Sequence, residues 1–253
     1  MQTPLLAYHD SKFLDSDDAR PLRIISEYLA PLRAFNLAQV SATVVFFGSA
    51  RIRAGGPLAR YLDEASELAR LLTEWSRACG GERLVVCSGG GPGIMEAANR
   101  GAAQAGGRSV GLNIGLPHEQ RPNSYITPER GFEFHYFFMR KLWFAHLARA
   151  LVVFPGGFGT LDEMAEILTL QQTQKLDRSI TVLLYGSQYW KEIINFDALV
   201  RHGMISPEDL KLFSYADDPA TALGLLQKGL KKHPEEAPPA FAHSSSPAHR
   251  QNG

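Results

Sequence analysis

The stretch Leu151-Val152-Val153-Phe154-Pro155-Gly156-Gly157-Phe158-Gly159-Thr160-Leu161-Asp162-Glu163-Met164 leaves the chain few ways to fold. Four apolar residues with no charge among them read as a buried parallel strand. Pro155 stops the strand because it has no N–H to give a neighbouring ladder. Gly156, Gly157 and Gly159 then let main chain approach a ligand closely. Thr160 is placed to cap a helix whose positions Met164, Ile167, Leu168 and Gln171 keep a helical period. Strand, glycine turn and helix start together aim free N–H groups and a positive dipole end at one point. Such a point suits a phosphate.

Similar units recur along the chain. Strand patterns at 43–47, 84–87, 109–114, 151–154 and 180–185 alternate with helical periods, which predicts an α/β fold: a Rossmann-like, doubly wound parallel sheet with helices on both faces. Residues 1–40 read as a polar segment followed by covering helices that Pro31 kinks or divides. Residues 41–232 read as the Rossmann-like domain, and 233–253, rich in proline, histidine and serine, as a disordered tail. A helix is expected near 189–201, a short strand at 132–135 and a binding-site loop at 115–131. Turns after Phe47, Cys87 and Phe154 all fall at the carboxyl edge of such a sheet, where ligands bind.

Composition excludes several functions. Lys+Arg and Asp+Glu both number 26 in 253 residues, so no overall field favours nucleic acid or an anionic membrane. Two cysteines give no disulfide framework, and the eight histidines lack metal-ligand spacing, so neither a metal nor a disulfide is expected. With no signal peptide and no apolar span, a cytoplasmic protein is expected.

The glycine turns narrow the ligand. In Ser88-Gly89-Gly90-Gly91-Pro92-Gly93-Ile94, Ile94 stands where a dinucleotide fingerprint needs its third glycine, and no GK[ST] follows the turn at 156–159. A mononucleotide fits better than NAD or ATP. On pattern alone Thr160–Glu163 is also a capping box, which would give Glu163 a structural role. Against that, a carboxylate one turn into a phosphate-binding helix lies within reach of the attached ribose. Arg140, a planar fork of donors, suits a phosphate or a developing negative charge, whereas Lys141 is a point charge. Phe134, Phe138, Met95 and Phe158 are candidates to stack on a base.

The PGGFGTLDE run, Met139-Arg140-Lys141, the turn Gly89–Glu96 and the strand ending Gly48-Ser49-Ala50-Arg51 together resemble the LOG (Lonely Guy) family, in its longer bacterial-type branch. The resemblance covers roughly 40–215. It implies a Rossmann-like, dimeric or dimer-built, metal-independent phosphoribohydrolase without cofactor. Such an enzyme frees the base and ribose 5-phosphate from AMP or a cytokinin riboside 5′-monophosphate. By position, Arg140 and Glu163 would be catalytic. Gly156, Gly157, Gly159 and Thr160 would hold the phosphate, and Ser49, Gly90, Gly91 and Lys141 would bind substrate. Glu119 matches a further family carboxylate. Family members have also been labelled lysine decarboxylases, but neither Lys141 nor Lys175 comes with the surroundings a pyridoxal phosphate lysine needs. The competing expectation is a Rossmann-like nucleotide sensor or carrier without turnover, which would need the glycine turns but not Arg140 and Glu163.

Overall fold

In the computed structural model, residues 5–79, 84–115, 121–176 and 178–231 are described; the expected tail and Glu119 lie outside them. The strands are β1 (Thr43–Phe47), β2 (Val85–Ser88), β3 (Ser109–Ile114), β4 (Gly131–Phe134), β5 (Ala148–Val153), β6 (Thr181–Tyr185) and β7 (Phe213–Ala216). They form one sheet in the order β4-β3-β2-β1-β5-β6-β7, and every pairing is parallel. The helices are α1 (Ser11–Leu14), α2 (Arg20–Leu37), α3 (Arg60–Ala78), α4 (Ile94–Gln104), α5 (Phe137–Leu147), α6 (Phe158–Gln172), α7 (Ser187–Ile193), α8 (Phe196–Arg201) and α9 (Pro219–Lys231).

Successive side chains of a strand face opposite ways, so each strand feeds two cores. Val44, Phe46, Val86, Ala150 and Val152 pack with α3, α4 and α9, while Val45, Phe47, Cys87, Leu151 and Val153 pack with α2, α5, α6 and α7. The expected doubly wound sheet is therefore present. Gly101 brings α4 against α3 as well as the sheet, since a Cβ there would stand 2.0 Å from the Ser66 carbonyl oxygen.

Two local expectations need correction. Pro31 does not divide α2, which runs unbroken from Arg20 to Leu37. A mid-helix proline costs a hydrogen bond because it leaves the carbonyl four residues earlier without a donor. Here that carbonyl belongs to Glu27, and the buried Trp143 Nε1–H donates to it at 3.0 Å. The expected helix over 189–201 is two helices, because the chain turns extended at Ile194 and the Asn195 side chain accepts from Ala198 N–H to start α8.

Candidate active site

Strands β1 and β5 lie side by side, and from them the chain winds outward in opposite directions, which opens a crevice at their carboxyl ends. Main-chain bonds pull three turns together there. Phe154 N–H donates to the Phe47 carbonyl at 2.8 Å, Ser49 N–H to Pro155 at 3.0 Å, and Ile94 N–H to Ser49 at 3.2 Å. Gly93, with φ of +69°, permits this crossing, since a Cβ on it would stand 2.4 Å from the Ser49 carbonyl oxygen. The resulting cleft encloses about 630 Å³.

Helix α6 starts at Phe158 with Gly157 as its cap residue, and no side chain caps it. Its first N–H groups are therefore left for whatever occupies the cleft. Thr160 is not the cap. It sits in the first turn of α6, buried, and packs against Gly156, where an added Cβ would meet Thr160 Oγ1 at 2.2 Å. The capping box consequently does not form, and the Glu163 carboxylate turns elsewhere.

It turns to Arg140 on α5. Arg140 Nη2 donates to Glu163 Oε1 at 2.8 Å, and each side chain is only 11% exposed. The guanidinium lies over the rings of Phe137 (5.3 Å) and Phe144 (5.5 Å). Its buried Nε has no hydrogen-bond partner among the described residues. Both groups have lost water, and desolvation disfavours the charged form of each. Burial pushes the Glu163 carboxyl up to about 7 against the opposing pull of Arg140, and lowers the Arg140 guanidinium from its ordinary value. A pair held so dry at the floor of a cleft can answer charge that develops in a bound molecule.

Ser49, Arg140, Gly156, Gly157, Gly159, Thr160 and Glu163 line this one cleft. Gly90 and Gly91 do not; their carbonyls accept from Asn123 Nδ2 at 3.0 and 3.2 Å, and Gly89 is the residue of that turn which reaches the cleft. Lys141 also stands outside the lining, where Asp162 (2.9 Å) and Glu166 (3.1 Å) hold its ammonium. Of the stacking candidates, Met95 and Phe158 line the cleft, Phe134 is buried in the core, and Phe137 takes the place expected for Phe138. Arg51, Asn113 and Tyr189 line the cleft without having been singled out. The asparagine near the end of an otherwise apolar strand was a usable signal. Tyr189 gave none. Among the described residues no group of three or more His, Cys, Asp or Glu is placed to hold a metal ion, and no helix is long and apolar enough to cross a membrane.

Residues 95–226 match the protein family described as "possible lysine decarboxylase". LOG7 of Arabidopsis thaliana, a cytokinin riboside 5′-monophosphate phosphoribohydrolase, is 31% identical over 170 residues, covering 64% of this chain and 70% of the relative. The chain belongs to the LOG family. LOGL6 of Oryza sativa subsp. japonica, a probable cytokinin riboside 5′-monophosphate phosphoribohydrolase, is 27% identical over 226 residues, covering 87% of this chain and 85% of the relative. The X-ray structure of TM1055 shares the fold, with a TM-score of 0.53 and 22% identity over 74% of this chain and 99% of that one. Among the described residues of this LOG chain no lysine lines the cleft, so the residues present there do not fit a pyridoxal phosphate Schiff base of the kind a decarboxylase uses.

Proposed function

We propose that the protein is a phosphoribohydrolase that cleaves the N-glycosidic bond of a nucleoside 5′-monophosphate, AMP or a cytokinin riboside 5′-monophosphate, to free base and ribose 5-phosphate. The observation that carries this reading is the buried Arg140–Glu163 pair at the floor of a cleft whose rim is an uncapped helix start. A binding module needs only the rim. A dry, closely paired acid and base beneath it would be a costly addition for a protein that only holds a nucleotide.

In this reading the amides from Gly157 to Thr160 take the 5′-phosphate, with Ser49 and the exposed Arg51 beside them. The phosphate is remote from the bond that breaks, and its binding positions the ribose. Glycosidic cleavage proceeds through an oxocarbenium-like sugar. Glu163, ionised, stabilises that positive charge or accepts a proton from the attacking water. Arg140, released from the pair by the ligand, stabilises the departing base. The side of the cleft formed by Gly89, Met95, Asn113, Ile114 and Phe137 receives the base. Phe138 and Leu142 of α5, with Leu22 and Ile25 of α2, are large exposed apolar side chains, and they suit the subunit contact that the family resemblance implies.

The test is to incubate the protein with AMP and with a cytokinin riboside 5′-monophosphate and to quantify free base and ribose 5-phosphate. Equimolar release of both products is expected. Nucleotide binding without release over hours would instead leave a carrier.

A further inference from the structure

The turn that would hold the phosphate contains two consecutive glycines, Gly156 and Gly157, and nothing in their own side chains fixes which way their peptide faces. The direction matters because a peptide that presents its carbonyl to a phosphate repels it. Hydrogen bonds to two successive carbonyls settle the question, the first for the preceding peptide and the second for the Gly156–Gly157 peptide itself. Ser49 N–H donates to the Pro155 carbonyl at 3.0 Å, and the Tyr189 hydroxyl donates to the Gly156 carbonyl at 2.8 Å.

No cis peptide bond is present among the described residues, and in a trans peptide the C=O and the following N–H point opposite ways. With the Gly156 oxygen drawn to Tyr189, the Gly157 N–H faces away from that ring. A Cβ built on Gly157 meets nothing within 4 Å, so the chain there borders open space. Tyr189 is itself firmly placed. The next residue, Trp190, is fully buried, and its Nε1–H donates to the carbonyls of Val153 (3.0 Å) and Tyr185 (3.1 Å). Helix α7 is thus fastened to the last residues of β5 and β6.

We infer that Tyr189 is a positioning residue for phosphate binding: its hydroxyl, bonded to the Gly156 carbonyl, holds the Gly156–Gly157 peptide with its N–H available to the substrate phosphate. The inference rests on the phosphate reading given above. Tyr189 does not act on the glycosidic bond, so its loss should weaken substrate and transition-state binding alike.

The test compares wild type with Tyr189→Phe, which removes only the hydroxyl. Calorimetry with ribose 5-phosphate should show an affinity about three- to tenfold weaker in the variant, the span of one neutral hydrogen bond. KM for AMP should rise by a similar factor, with kcat within about twofold. Equal affinities in the two proteins would overturn the role of Tyr189 alone, as would a fall in kcat at unchanged KM. Wild type that does not bind ribose 5-phosphate would overturn the phosphate reading and Tyr189 with it. A readout that needs no variant is the Gly157 amide resonance, which should move when wild type is titrated with ribose 5-phosphate. An unmoved resonance at saturation would also overturn the proposal.

Discussion

Replacing Glu163 with Gln should separate activity from stability in opposite directions. Two effects compete at this side chain. Breaking a buried ion pair by removing one partner costs about 3–5 kcal/mol, because the other charge is left unpaired. Burial of the carboxylate works against the pair. Holding the Glu163 carboxyl at about 7 instead of its ordinary 4.5 corresponds to about 3 kcal/mol by which the folded protein prefers the protonated form. The folded value is the raised one, so this contribution is fully present below pH 4.5 and is lost as pH rises through about 7. Gln mimics the protonated carboxyl and keeps an acceptor oxygen for Arg140 at every pH. The variant should therefore match wild type near pH 4 and exceed it by up to about 3 kcal/mol at pH 8, while its turnover falls on the order of 10²–10⁴. Urea unfolding at both pH values, followed by tryptophan fluorescence, measures the first quantity, and base release from AMP measures the second. A variant clearly less stable than wild type at pH 8 would show the opposite balance, with Arg140 outweighing burial and Glu163 sitting below its ordinary range.

Because Glu163 acts ionised and is held near 7, kcat/KM for AMP in wild type should fall as pH drops below that value and level off above it; a profile flat from pH 5 to 8 would place the working group elsewhere. Gly156→Ala sets a Cβ 2.2 Å from Thr160 Oγ1 and must displace the phosphate turn, so kcat/KM should drop by about 10²-fold, measured by the same base-release assay. Lys141→Ala removes an ammonium already shared by Asp162 and Glu166 outside the cleft. Its kcat should change by less than about twofold and its unfolding free energy by no more than about 1 kcal/mol; a large fall in kcat would return Lys141 to the site.

The sheet was legible because its strands are short uncharged runs at regular spacing between helical periods, and that pattern has few other solutions. The edge where the turns meet followed from parallel topology alone. What local pattern misassigned were contacts made by residues distant in sequence. Pro31 looked like a helix breaker because the donor for the Glu27 carbonyl, Trp143 Nε1, lies 116 residues away. Thr160 and Glu163 had capping-box spacing, yet Gly157 starts the helix and Arg140, 23 residues earlier, takes the carboxylate. Lys141 shared its neighbour's apparent promise, but successive residues of a helix point about 100° apart, so Arg140 enters the cleft while Lys141 faces α6. Tyr189 was illegible for the same reason: its partner is a main-chain carbonyl 33 residues before it.

Hydrolysis of the proposed kind requires that the amides at the start of α6 gather a sugar-linked phosphate and set the anomeric carbon between Arg140 and Glu163. A crystal structure with ribose 5-phosphate bound tests it most directly. Phosphate oxygens should lie within hydrogen-bond distance of the amides from Gly157 to Thr160, with the Arg140–Glu163 contact opened and the sugar C1 beside the Glu163 carboxylate. Ribose 5-phosphate seated elsewhere, or bound at α6 with its C1 turned away from an intact Arg140–Glu163 pair, would contradict it.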